Sequence, residues 1–534
     1  MDLLRNFFIF SIFGTTLFFF SFLKQSLGSN ENFLHKKQNI TSSIHKNKNN
    51  DSNIIVKTDV LKVIISKKGG DIKQAKLLKF NKNLKTKLPI KLLDTNKNFV
   101  YQAQSGLIGP NGIDNFKNNK RPIYSTQKNF FDFTNSKEKE LRVPMTIISK
   151  DGSIYTKTFI FKKKEYSIQV EFSIFNNSKK TIKVSMLGQL VQTINIKQQK
   201  KNIKNSDSSF RTLRGSAFSS HNNKYKKYTF DKIKKEKDLN ITTKSGWVAM
   251  IQKYFVSAWI PKNNGNNTIY THSCKNNTTL IGYKSDLIKI KPNSKTNINS
   301  ILWVGPEIQE KMASISPYLD LTVDYGWLWF LSQPLFKLLK FLYYIFGNWG
   351  IAIIGITVIT KIFMHPFNRL QYISMQKIKS LNPKINNIKE KYSSDKKKMT
   401  QEIINLYKRE NINPLSSIFP VLIQMPIFLS LYYMLMGSVE LRHAPFIFWI
   451  QDLSSQDPYF ILPILMGISM YFSQNTNFSQ NQTNNSTQEK IMKFFPFIFI
   501  IFFLWFPAGL VLYYTVSNIL TILQQKLFFY KFNK

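Results

Sequence analysis

The chain has 534 residues, 43% of them hydrophobic, and 75 basic against 30 acidic residues give it a formal charge of +45. Its single cysteine, Cys274, excludes an intrachain disulfide. Nucleic-acid binding would gather the positive charge on one face or tail, whereas here lysine is spread through a chain rich in Asn, Ile and Phe, so no nucleic-acid partner is expected.

Hydrophobicity is unevenly placed. Apolar runs lie at Phe7–Leu23, Ile345–Phe367, Leu415–Met436, Tyr459–Phe472, Ile491–Phe506 and Pro507–Leu527. Runs of this kind predict an α-helical polytopic membrane protein with six transmembrane helices. Residues 1–25 read as an uncleaved anchor, because no A-x-A-like site follows the first run. Residues 26–55, rich in Asn, Lys and Ser, read as a disordered polar linker. From 56 to 318 the pattern is β, with alternating or β-branched stretches at 155–161, 166–175 and 181–187 and no strong helical period until about residue 307, which predicts a sandwich. Within it, His221 and His272 stand alone and read as solvated surface residues. Residues 319–344 combine aromatics with Pro334, Lys337 and Lys340 and read as an interfacial amphipathic helix, or alternatively as an extension of the next span.

Residues 345–534 read as a core of five helices. Segment 370–412 within it predicts a helical hairpin joined at 393–395, with Ile378, Leu381, Ile385, Ile388 and Tyr392 facing Met399, Ile403, Leu406 and Tyr407. Loop charge sets the orientation. Arg369–Pro414 carries eleven basic and four acidic residues, while Gly437–Asp457 carries one basic and three acidic. The positive-inside rule then puts the first loop and both termini in the cytoplasm and the large β region outside. The fourth and fifth spans are short, which implies either local thinning of the bilayer or, as the preferred reading, helices that continue through Ser473 and Gln474 into the headgroups.

Lys361 lies inside the apolar run 349–367, where a charge costs roughly 2.5–3.5 kcal/mol on insertion scales. Thr357 shares its helical face and Thr360 lies beside it. In the last span Tyr514, Ser517, Asn518, Thr521 and Gln525 fall on one face, as do Ser417 and Gln424 in the third. Such stripes either converge on a wet groove or hold the bundle together by hydrogen bonds. Lys361 could also snorkel to the headgroups. No intramembrane Asp or Glu is available to neutralise it, and an unpaired cation inside the membrane points to water or a visiting anion as its partner. The groove candidates are therefore Lys361, Thr357, Thr360, Gln424, Tyr514, Ser517 and Asn518. No G-x-x-x-x-G-K-[ST], H-E-x-x-H or C-x-x-C occurs, so no catalytic residue, cofactor or metal is expected.

The stretches GWVAMIQKYFVSAWIP (246–261), LDLTVDYGWLWFLSQPLFKLLK (319–340), FPVLIQMPIFLSLYYMLMGSVELRHAPF (419–446), LSSQDPYFILPILMG (453–467) and FFLWFPAGLVLYYTVSN (502–518) resemble the YidC-type membrane protein insertases, in the form with a large periplasmic domain. VLKVIISKKGGDIKQAKLL (60–78) is similar to the same family. The resemblance implies a periplasmic β-supersandwich similar to sugar-mutarotase folds and five core helices around a groove open to the cytoplasm and to lipid. Lys361 falls where the family usually has an arginine, and Thr357 and Tyr514 match groove-lining positions. The implied partners are nascent membrane proteins, the Sec translocon, membrane lipids, and the ribosome and signal recognition particle pathway through loop 370–412. The implied location is the bacterial inner membrane, with residues 26–344 periplasmic. A solute transporter with Lys361 as counter-charge, or a passive anchor whose β domain binds wall components or sugars, are the rival readings.

Overall fold

The structure, a computed structural model, describes residues 53–84, 86–96, 99–116, 121–194, 215–235, 238–263, 265–274, 277–393, 395–410, 419–478 and 486–532. The expected anchor and most of the linker lie outside these residues. The chain divides into a β-rich unit ending at Asp324 and a helical unit from Tyr325 to the C-terminus.

The first strand of the β unit, Asn53–Lys57, begins inside the segment expected as linker. Its apolar residues Ile54 and Val56 are fully buried, so alternation already starts there. Among the described residues two sheets follow, one of eleven strands and one of eight. The stretches singled out in the sequence become Ile154–Lys162, Ser167–Phe175 and Ile182–Thr193. The first two form an antiparallel hairpin with Phe159 opposite Val170. The next turn is organised by Asn176, whose amide donates to the carbonyls of Lys180 at 2.8 Å and Ile290 at 3.0 Å. The rings of Trp247, Trp259, Trp303 and Tyr283 are fully buried, and Trp259 and Tyr283 meet between the sheets beside Gly188. Trp259 Nε1 donates across the layer to the Gln189 carbonyl at 3.1 Å. Gly188 makes this close approach possible, since a Cβ there would sit 2.6 Å from the Tyr283 ring and 3.1 Å from Trp259.

One end of this unit is held by four buried charges. The Gly69-Gly70 turn, both residues at positive φ, presents its carbonyls inward. Lys157 Nζ donates to Gly69 O, Gly70 O and Ser105 O at 3.0, 2.9 and 3.0 Å. Arg121 Nη2 donates to Gly69 O, Ser105 O and Asp71 Oδ1 at 2.9, 2.9 and 2.8 Å, and its Nε lies 2.7 Å from Asp114 Oδ1. Two cations and two carboxylates balance. Burial pushes Lys157 down to about 7 and pushes both carboxylates up from their usual range, against the pull of Arg121.

The helical unit begins with α1, Trp329–Phe346. It is a separate helix: Gly347, at φ 67°, ends it before α2 begins at Trp349, so it does not extend the next span. Ser332, Phe336, Leu339 and Leu342 form its buried face, while Phe330, Phe341 and Tyr344 are exposed. The expected boundary at 319 shifts, because Leu319–Thr322 is a 3₁₀ turn of the β unit. Helix α2 runs unbroken from Trp349 to Ser380, about 48 Å at 1.5 Å per residue, longer than a hydrocarbon layer of ~30 Å. The hairpin therefore starts twelve residues later than the sequence pattern suggested, as α3 (Asn382–Lys391) and α4 (Lys396–Arg409). Of the residues expected in its core, Leu381, Ile385 and Ile403 are buried and Ile388, Met399, Leu406 and Tyr407 pack on them, while Tyr392 is half-buried outside this cluster. Asp395 caps α4 by accepting from the Lys397 and Lys398 amides.

Helices α5 (Phe419–Gly437), α6 (Ile461–Phe478), α7 (Ser486–Phe503) and α8 (Ala508–Phe532) complete the unit. Helix α6 does continue through Ser473 and Gln474. Among the described residues, one helical stretch, Trp349–Ser374, is long and apolar enough to cross a membrane by itself, and Ile423–Gly437 and Ile461–Ser473 are shorter apolar segments. The loop between α5 and α6 is tied by two carboxylates. Asp452 accepts from the His443 and Ser454 amides and from both Ser454 and Ser455 hydroxyls. Asp457 accepts from Trp449 Nε1, the Tyr459 amide and the Leu462 amide. The loop carbonyls of Leu453 and Ser455 in turn receive the Gly509 and Ala508 amides that open α8.

Candidate functional site

Lys361 sits midway along α2 with its side chain turned onto α8. Only 8% of the residue is exposed. Its Nζ donates to Thr521 Oγ1 at 2.8 Å, and no acidic side chain among the described residues acts as its counter-ion. One helical turn or two further on, Gln524 joins the same two helices. It donates to the Lys361 carbonyl at 3.3 Å and accepts from Asn368 Nδ2 at 3.3 Å. The Thr521 hydroxyl is itself committed, donating to the Ser517 carbonyl at 2.8 Å, so its lone pairs are what it offers to the ammonium. An ammonium has three donors. The Thr521 hydroxyl takes one of them.

The remaining candidates are distributed around this pair. Thr357 is fully buried and donates to the Ile353 carbonyl at 2.6 Å. Thr360 is half-buried and shares its hydroxyl between the carbonyls of Ile356 and Thr357. Both hydroxyls thus satisfy their own helix, and neither bonds to Lys361. Gln424 is half-buried on α5. Ser517 is buried on the α8 face that meets α2, and its carbonyl holds Thr521. Asn518 turns toward α6 instead, donating to Ser469 Oγ at 3.2 Å. Tyr514 turns toward α5 and α7, its ring 5.6 Å from Phe428 edge-on and 5.3 Å from Phe503.

The stripe of α8 therefore splits three ways. Thr521 and Gln524 meet α2, Asn518 meets α6, and Tyr514 enters an aromatic cluster with Phe502, Phe503 and Phe506 behind it. Sequence reasoning placed Thr521 in the stripe without identifying it as the partner of Lys361, and missed Gln524, Asn368 and Ser469. The i, i+7 spacing of Lys361 and Asn368 was the available signal for the last turn of this ladder.

Residues 53–338 match the family model described as the YidC periplasmic domain, and residues 341–534 match the one described as 60Kd inner membrane protein. The membrane protein insertase YidC of Buchnera aphidicola subsp. Acyrthosiphon pisum is 53% identical over 530 residues, 98% of each chain. Its counterpart in Buchnera aphidicola subsp. Schizaphis graminum is 51% identical over 538 residues, covering 100% of this chain and 99% of that one. A crystal structure of an active YidC insertase with its first transmembrane domain resolved aligns with 88% of this chain and 92% of its own, at 16% identity and a TM-score of 0.37. Matched along nearly its whole length by the two family models and by relatives of the same size, the chain belongs to the YidC family of inner membrane proteins with a periplasmic domain.

Proposed function

We propose that the protein is a membrane protein insertase, moving newly made membrane proteins from the cytoplasm into the bilayer. The observation that carries this is the 53% identity to a membrane protein insertase across 98% of both chains. It also weighs against the solute-transporter reading. The ammonium of Lys361, bonded to a neutral hydroxyl and without an acidic counter-ion among the described residues, supports a mechanism of charge capture. A client's short polar segment enters from the cytoplasmic side and its acidic residues are drawn to Lys361, in surroundings less screened than bulk water. Meanwhile the client's apolar helix passes the aromatic-lined α5 and α7 into lipid. Its removal from water, worth roughly 25 cal/mol per Å², drives the step.

In this reading the chain crosses the inner membrane six times, five of the crossings forming the core. Both termini and the α3–α4 hairpin are cytoplasmic, and the two-sheet unit is a periplasmic supersandwich. The groove is lined by Lys361, Thr357, Thr360, Gln424, Tyr514, Ser517 and Asn518. Ribosome and signal recognition particle contacts would fall to the hairpin, whose exposed surface is rich in lysine, and the Sec translocon and membrane lipids are the further partners of this reading. A photo-crosslinker installed at Tyr514 tests the groove. Adducts with nascent single-span clients are expected during synthesis and should vanish once the client is released. A cell that inserts clients through this protein yet yields no adduct from position 514 contradicts the assignment.

A further inference from the structure

The acceptor that Lys361 uses among the described residues is neutral, and its own proton is already committed. Thr521 donates its proton to its own helix at Ser517 O and so meets the ammonium only as an acceptor, at 2.8 Å. A carboxylate in the same place would form a charge-assisted bond to the ammonium, roughly twice as strong as a neutral one. A client amide or hydroxyl would offer no such advantage over the resident threonine. The neighbouring ties are weak as well, since both Gln524 contacts are 3.3 Å long, at the far edge of hydrogen-bond geometry. Helices α2 and α8 are thus fastened by a short polar clasp whose strongest member is the one that an acid can displace.

We infer that Thr521 is a specificity-determining residue: its hydroxyl occupies the Lys361 ammonium between clients, and a client carboxylate displaces it where a neutral polar side chain does not. This rests on Lys361 being a client contact. The clasp then acts as a threshold. Acidic segments open it because they gain on exchange, and segments bearing Asn, Gln or Ser in the same place exchange one neutral partner for another. Gln524 and Asn368 keep the two helices in register while the exchange occurs, as positioning residues one step removed from the client.

The test uses the full-length protein in membrane vesicles and two single-span clients that differ only by Asp or Asn in the exported tail. Client occupancy is read as crosslinking yield from position 514 on stalled chains. Thr521→Val removes the acceptor at constant shape, and Thr521→Ser keeps it. The valine variant leaves nothing to be displaced, so it should strengthen binding of both clients by about threefold or more, the scale of one lost hydrogen bond, seen most plainly as a rise in occupancy by the Asn client, which the threonine otherwise holds down. The serine variant should match the parent for both, which a purely structural role of the position would not predict. No rise in occupancy by the Asn client overturns the clasp. Lys361→Gln separates this from the underlying reading. If it erases the difference between Asp and Asn clients while Thr521→Val does nothing, only the clasp fails. If it leaves that difference intact, the charge-capture reading itself fails.

Discussion

Arg121→Ala is expected to destabilise the β unit by about 3–5 kcal/mol, the scale of breaking a buried ion pair by removing one partner. The guanidinium reaches two carbonyls and two carboxylates from one point. Without it, Asp71 and Asp114 remain buried with Lys157 as the remaining cation of the cluster. The carbonyls of Gly69 and Ser105 would each lose one donor and keep their bonds to the Lys157 ammonium. Set against a typical domain stability of 5–15 kcal/mol, such a loss is severe. Arg121→Lys should recover little of it, because a compact ammonium cannot span the four acceptors that a planar fork serves. The exposed Arg142, paired with Glu140 at 2.8 Å, supplies the comparison. Its alanine variant should lose less than about 1 kcal/mol, as solvent-exposed pairs do. Pulse proteolysis of the detergent-solubilised chain across a urea series measures all three. A cost for Arg121→Ala as small as that for Arg142→Ala contradicts this account of the cluster.

The second large effect concerns the membrane. Lys361→Glu should lower insertion of acidic-tailed clients more than about tenfold, since like charges about 4 Å apart near a protein surface repel by about 4 kcal/mol and a factor of ten needs only about 1.4 kcal/mol. Lys361→Arg should be tolerated. It keeps the charge, and its fork can still reach the Thr521 hydroxyl while gaining bidentate pairing with a client carboxylate. Clients with neutral tails should be far less sensitive to either change. Equal insertion of acidic-tailed clients by the arginine and glutamate variants, at matched protein levels, would remove the charge-capture role from Lys361.

Much of this molecule is legible from local pattern. The hairpin core was readable because Leu381, Ile385, Ile403 and Leu406 recur at helical spacing, and that same spacing packs them in the structure. Strands such as Ser167–Phe175 were readable because their alternation matches burial residue by residue. What escaped is long-range. Asp71, Asp114, Arg121 and Lys157 are ordinary charged residues in sequence. Only the pairing of sheets and the Gly69-Gly70 turn bring them together, and neither leaves a local signature. The same holds in the helical unit. Helix periodicity put Tyr514, Ser517, Asn518 and Thr521 on one face, but a face on the order of 100° wide touches more than one neighbour. Which residue meets α2, α6 or the aromatic cluster depends on how α8 is rotated. The end of α2 was misplaced for a related reason. Hydrophobicity stops near Phe367, yet the backbone continues as helix to Ser380, because a change from apolar to polar side chains does not by itself end a helix.

The most direct test is chemical access to position 361. In right-side-out and inverted vesicles, the Lys361→Cys variant in a Cys274→Ser background should react with a membrane-impermeant cationic thiol reagent from the cytoplasmic face alone. A client stalled in transit should protect it. If the thiol stays unmodified from both faces until the protein is denatured, residue 361 is packed away from water, and the hydrated, acid-attracting groove is contradicted.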